Sequence, residues 1–102
     1  MHDMKNLGRL KHWGVHAPET TKTFEAFDEA AWSEGAIPKN YKALIAVALA
    51  LTIQCPYCIE LHEGRARDAG ASEPDIAETV RATAALRAGG AITHGTHTTK
   101  AI

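Results

Sequence analysis

Pro38-Lys39-Asn40-Tyr41-Lys42-Ala43-Leu44-Ile45-Ala46-Val47-Ala48-Leu49-Ala50-Leu51 is the stretch on which the fold turns. From Ala43 to Ile53 it is nearly unbroken apolar sequence, interrupted only by Thr52. A short buried strand is the competing reading. The length of the run and its many alanines favour a helix. A helix that is apolar on every side is buried, so this one is expected at the centre, running from Pro38 to about Gln54. Its alanines permit neighbouring helices to approach closely.

Helical punctuation continues on both sides. Upstream, Pro18-Glu19 suits a first helical turn: proline has no N–H to lose there, and an acid favours the positive end of the helix dipole. Phe24, Phe27, Ala31 and Trp32 recur at three-to-four spacing as one apolar stripe, and Gly35 ends that helix. Downstream, Pro56 forces a break and restarts a third helix, with Cys55 near its N-cap and Gly70 as its stop. Ser72-Glu73-Pro74-Asp75 is a capped start for a fourth, carried by Ile76, Val80, Ala84 and Leu86 to Gly89-Gly90. Residues 1–16 mix charge, glycine and histidine with little periodicity and read as an extended or weakly ordered arm. Residues 17–102 read as one domain. No repeat or hairpin series is visible, so the fold class is all-α.

Composition narrows the function. The 102 residues carry 11 basic and 12 acidic side chains, a formal net charge of −1, with no basic stripe to bind nucleic acid. A membrane-spanning helix needs about 20 apolar residues, more than the run from Ala43 to Ile53 provides. The polar start Met1-His2-Asp3-Met4-Lys5 is no secretory signal. A cytoplasmic protein is therefore expected, in a compartment where paired cysteines mean redox or metal chemistry more often than a staple. Five of the six histidines, at 2, 12, 16, 94 and 97, read as exposed polar surface. A short chain built around an apolar, alanine-rich helix is also expected to form a homo-oligomer.

The chemistry concentrates in Cys55-Pro56-Tyr57-Cys58-Ile59-Glu60-Leu61-His62. Cys55, Cys58 and His62 stand at i, i+3 and i+7, on one face of the third helix. Ile59, Ala66 and Ala69 lie beside them, and Glu60, Glu63 and Arg67 turn elsewhere. Backbone N–H groups at the helix start stabilise a thiolate, and His62 can take its proton. The dipole favours Cys55 as nucleophile and the i, i+4 relation to His62 favours Cys58, so spacing alone leaves the choice open. A zinc site built from Cys55, Cys58, His62 and His94 or His97 is a second reading, and two inert core cysteines a third. Covalent haem attachment needs histidine where Ile59 stands. Thioredoxin-type chemistry needs strands that the pattern lacks. No cofactor is called for.

At these residues the chain resembles the carboxymuconolactone decarboxylase superfamily, in its AhpD-like alkylhydroperoxidase branch. The resemblance rests on FEAFDEAAWSEGA from Phe24, PKNYKALIAVALAL from Pro38, QCPYCIELH from Gln54, GRARDAGASEPDIAE from Gly64 and ALRAGGAITHGTH from Ala85. It spans about residues 20–97, and CxxCxxxH with the following AGA turn is its most specific part. It implies an all-helical oligomer acting as a thiol-dependent peroxidase or disulfide reductant. It further implies that Cys58 attacks peroxide, Cys55 resolves the sulfenic acid to a disulfide and His62 relays the proton. A lipoylated or thioredoxin-like dithiol protein would re-reduce the pair.

The chain departs from that pattern at one position. Relatives often read Lys-Glu-Leu-Ile where this chain has Lys42-Ala43-Leu44-Ile45, and that glutamate partners the histidine in the proton relay. Ala43 cannot serve. A carboxylate of the first helix is the expected substitute, Glu29 first and Glu25 second. Tyr57 also stands where some relatives have histidine. The name-giving lyase activity of the superfamily would leave the dithiol without a role. The expected catalytic set is therefore Cys58, Cys55, His62 and Glu29.

Overall fold

All four prolines stand at helix starts, and between them they set the register of the chain. The computed structural model describes residues 2–100; Met1 of the expected arm and Ala101 and Ile102 of the expected domain lie outside them. Five α-helices follow in order: α1 (Lys11–His16), α2 (Pro18–Trp32), α3 (Lys39–Ile53), α4 (Pro56–Asp68) and α5 (Glu73–His94). Short 3₁₀ segments cover Met4–Leu10 and Gly95–Thr98. The described residues contain no strand, and the fold is all-α.

Two left-handed residues end α3 and α4, and the turns they make let α4 and α5 both pack on α3. Gln54 ends α3 with φ 54°, and the Cys55 N–H reaches back to the Ala50 carbonyl at 3.2 Å. Gly70 ends α4 with φ 100°, and the Ala71 N–H reaches the Ala66 carbonyl at 3.0 Å. Both are Schellman-type ends, which satisfy carbonyls left over by the last helical turn. A left-handed conformation costs a residue with a Cβ roughly 1 kcal/mol, which exposed Gln54 bears while its N–H bonds the Ala50 and Leu51 carbonyls, and which Gly70 escapes.

α3 is the central element, packed on α4 and α5 and more lightly on α2. Ala46, Val47 and Ala50 of α3 and Ala66 of α4 form the fully buried apolar core. Three of these four are alanines, which bring the helix axes close. Thr83 of α5 is buried too, with its hydroxyl donating to the Thr79 carbonyl at 2.8 Å.

That core is narrower than the sequence pattern suggested. Ile45, Leu49 and Ile53 of α3 are 40%, 52% and 69% exposed, so α3 is covered on one side rather than all round. Phe24 and Phe27, of the apolar stripe of α2, are largely exposed. The radius of gyration is 17.4 Å, against about 13 Å for a compact domain of this length.

Two boundaries also differ. Residues 4–16 are helical rather than extended. Asp3 starts the first segment by accepting the Lys5 N–H at 2.9 Å, and α1 packs on α2. At the other end α5 runs through Gly89-Gly90 to His94. Glycine costs a helix about 1 kcal/mol each, too little to stop one that resumes with Ala91, Ile92 and Thr93. Thr93 also returns its hydroxyl to the Gly89 carbonyl at 2.7 Å.

Candidate active site

The first turn of α4 is built around Cys55. This residue is extended (φ −94°, ψ 105°) and serves as the N-cap, its Sγ accepting the Cys58 N–H at 3.2 Å. Pro56 follows at the one position where a missing N–H costs nothing. Cys55 and Cys58 are joined as a disulfide, with Cα atoms 5.2 Å apart, and both are half-buried. When the bond opens, both sulfurs remain at the positive end of a 13-residue helix, where an anion is stabilised.

Tyr57 ties the N-terminal segment to this turn. Its hydroxyl accepts a hydrogen bond from Asn6 Nδ2 at 2.8 Å, and the His2 ring meets its ring edge-on at 5.0 Å between centroids. The arm thus crosses to the CxxC motif, a contact that no periodicity could announce.

His62 stands one turn beyond Cys58 on α4, half-buried, with the Trp32 ring of α2 at 5.5 Å between centroids. Burial pushes its pKa down and the Arg65 cation pushes the same way, while the Asp28 carboxylate opposes them. The imidazole is therefore neutral at neutral pH and able to accept a proton. Trp32 donates its Nε1–H to Asp28 Oδ1 at 3.0 Å, which fixes that carboxylate on the α2 side.

A cleft of about 880 Å³ opens among α2, α3 and α4, and His62, Asp28, Glu29, Trp32, Ala43 and Arg65 contribute to its wall. Glu29 thus shares a cleft with His62, although it is exposed. Ala43, the departure noted in the sequence, presents its methyl group to the same space. The carboxylate whose field reaches His62 is Asp28, which sequence reasoning passed over. Its i, i+4 spacing to Trp32 was the available signal, but only the packing of α2 beside α4 gives that pair a histidine to act on.

Other polar groups near the motif have structural partners. Arg67 pairs with Glu63 on its own helix and with Glu73 at the start of α5, tying the two helices together. These pairs raise the Arg67 pKa and lower that of Glu73. The zinc set considered from sequence is not assembled: among the described residues no group of three or more His, Cys, Asp or Glu could hold a metal ion. His94 and His97 instead lie against each other, 5.7 Å between centroids, at the end of α5.

Comparison with known proteins places this geometry among relatives. The model of the "Carboxymuconolactone decarboxylase family" matches residues 18–101. A curated protein of Paracoccus denitrificans, "Uncharacterized protein 4 in cox locus", is 44% identical over 71 residues, which is 70% of this chain. The matched region spans 64% of that relative's length. A crystal structure from Methanobacterium thermoautotrophicum superposes with a TM-score of 0.80 at 32% identity, covering 84% of this chain and 97% of that one. The apo structure of a carboxymuconolactone decarboxylase family protein from Legionella pneumophila gives a TM-score of 0.75 at 29% identity, covering 88% of this chain and 80% of its own.

Proposed function

This chain belongs to the carboxymuconolactone decarboxylase family, and from that premise we propose that it is a dithiol peroxidase that reduces alkyl hydroperoxides through Cys55 and Cys58. The family is enzymatic in general. One observation carries the finer reading: the two cysteines form a disulfide at the N-terminus of α4, one turn before a histidine held neutral by burial.

The reaction begins with the reduced pair. His62 takes the Cys58 proton, and the thiolate attacks the terminal oxygen of the hydroperoxide. The O–O bond breaks as an S–O bond forms, leaving Cys58 as a sulfenic acid. The departing alkoxide takes a proton from the His62 imidazolium and leaves as an alcohol. The Cys55 sulfur, as thiolate at the helix terminus, then attacks the Cys58 sulfur. The S–S bond forms, and the hydroxide it displaces leaves as water on gaining a proton. Two electrons have passed from the dithiol to the peroxide. An external dithiol, a lipoylated or thioredoxin-like protein, restores both thiols by exchange and becomes a disulfide itself. Glu29, exposed on the shared cleft, is a further proton acceptor in this scheme.

The working unit in this reading is a homo-oligomer. Among the described residues thirteen large apolar side chains are exposed, including Trp13, Phe24, Phe27, Leu86 and Ile92, a large apolar surface for a small domain to leave in water. A monodisperse active monomer by sedimentation would remove this part of the proposal.

The test counts thiols and measures mass on reduced protein before and after one equivalent of an organic hydroperoxide. Loss of two thiols and two hydrogens, reversed by a dithiol, is the expected result. Cys58→Ser abolishes peroxide consumption, whereas Cys55→Ser accumulates a sulfenic acid or an intermolecular disulfide. Equal and full activity in both variants, or thiols indifferent to peroxide, would overturn the assignment.

A further inference from the structure

Asp28 and Trp32 do more than line the cleft. They lie one turn apart on α2, with the indole Nε1–H 3.0 Å from Asp28 Oδ1, and the same indole faces the His62 imidazole at 5.5 Å with a 47° tilt. One side chain therefore holds the carboxylate and forms a wall for the base. We infer that Asp28, held by Trp32 on the wall of the cleft that His62 shares, is the carboxylate that favours the protonated form of His62. This rests on the dithiol reading for its catalytic consequence, though not for the link between Asp28 and His62.

Competing charges in the cleft do not displace Asp28. From α2 come Asp28 and Glu29, from the entry to α3 Glu34 and Lys39, and from α4 Arg65 and Asp68. Glu34 is engaged with the Lys39 backbone N–H at 2.8 Å, which caps the start of α3. Glu29 is exposed, where water screens its charge. Arg65 lies on the same helix as His62 and disfavours the imidazolium. Asp28, half-buried and held, opposes both the burial of the ring and that cation without cancelling them. Position 43, across the cleft, offers only a methyl group.

Two readouts test this. In the oxidised protein, where no thiol titrates, the His62 ring resonances are followed by NMR against pH. Asp28→Asn is expected to move the His62 midpoint to lower pH, because an anion that favours the imidazolium is gone. Trp32→Phe should move it the same way by releasing the carboxylate while keeping an aromatic wall. Glu19→Gln, at the opposite end of α2, should leave it in place. In the reduced protein, Asp28→Asn should slow sulfenic acid formation at Cys58 about tenfold, shift the acid limb of its pH profile to lower pH, and recover with Asp28→Glu. Circular dichroism melts of each variant identify any loss of fold.

An unmoved His62 titration in folded Asp28→Asn protein would overturn the inference, as would an equal shift in Glu19→Gln. So would a shift produced by Glu29→Gln and not by Asp28→Asn. Failure of the wild-type thiols to react with peroxide would strike the dithiol reading alone, since the NMR arm still decides whether Asp28 acts on His62.

Discussion

Reducing the disulfide is expected to leave the chain folded, and the size of the effect follows from where the bond lies. Cys55 and Cys58 are separated by three positions, so the bond closes a ring of about four residues. Loop-closure entropy for so short a ring is about 6 cal/mol/K, or about 2 kcal/mol at 25 °C. Part of even that is recovered on opening. The Cys55 sulfur still caps α4 through the Cys58 N–H, and a thiolate there gains roughly 0.3–1 kcal/mol from the helix dipole. A net loss of about 1–2 kcal/mol is small against the 5–15 kcal/mol typical of folded domains. The assay is urea unfolding followed by far-UV circular dichroism, on oxidised and reduced protein at one concentration, so that any association contributes equally. The expected outcome is a modest fall in the transition midpoint with unchanged slope and unchanged native helical signal. Loss of the helical signal on reduction, or a fall above about 4 kcal/mol, would refute the reasoning. The bond would then be a structural staple, and a cycle that opens it at every turnover would be untenable.

Three further outcomes can be checked on single variants. Ala43→Glu places a carboxylate on the wall of the roughly 880 Å³ cleft that His62 shares, and it should move the His62 NMR midpoint to higher pH and speed peroxide consumption severalfold. Because the folded-state pKa of His62 lies below its ordinary 6.5, the unfolded chain binds the extra proton first. Its contribution to stability is full above that value and lost as pH falls through 6.5 towards the folded pKa, so urea midpoints should drop across this window less in His62→Gln than in the wild type. Tyr57→Phe removes the acceptor of the Asn6 hydrogen bond; limited trypsin digestion at Lys5 and Arg9 should accelerate, at a stability cost of about 1 kcal/mol.

Local chemistry made much of this protein legible before any coordinates. Prolines and caps announced the starts of α2 to α5, because a first helical turn tolerates a missing N–H and needs an acceptor for its free ones. The serine cap expected at Ser72 is present, and Asp75 completes it as a capping box with both reciprocal hydrogen bonds made. The helix that carries Cys58 and His62, with Cys55 at its N-cap, was likewise expected from Pro56. Element ends were harder to read. Gly89-Gly90 carries only a modest helical penalty, which the continuing turn overcomes, and an aperiodic N-terminus still folds once Asp3 caps it and Tyr57 receives Asn6.

What tertiary structure alone decided is everything that crosses from one helix to another. Asp28 looked like any surface carboxylate of α2, and its i, i+4 partner Trp32 like one more residue of an apolar stripe. Only the approach of α2 to α4 brings the Trp32 ring, with Asp28 hydrogen-bonded to it, to His62. Burial followed the same logic. The uniform apolarity of α3 marked it as a packing element, but which of its faces is covered depends on where α4 and α5 lie against it. Hydrophobic spacing records that a surface seeks cover without recording the partner, because the attraction is non-directional. Helix geometry, by contrast, is written in contacts no more than a few residues apart, and so the sequence carries it whole.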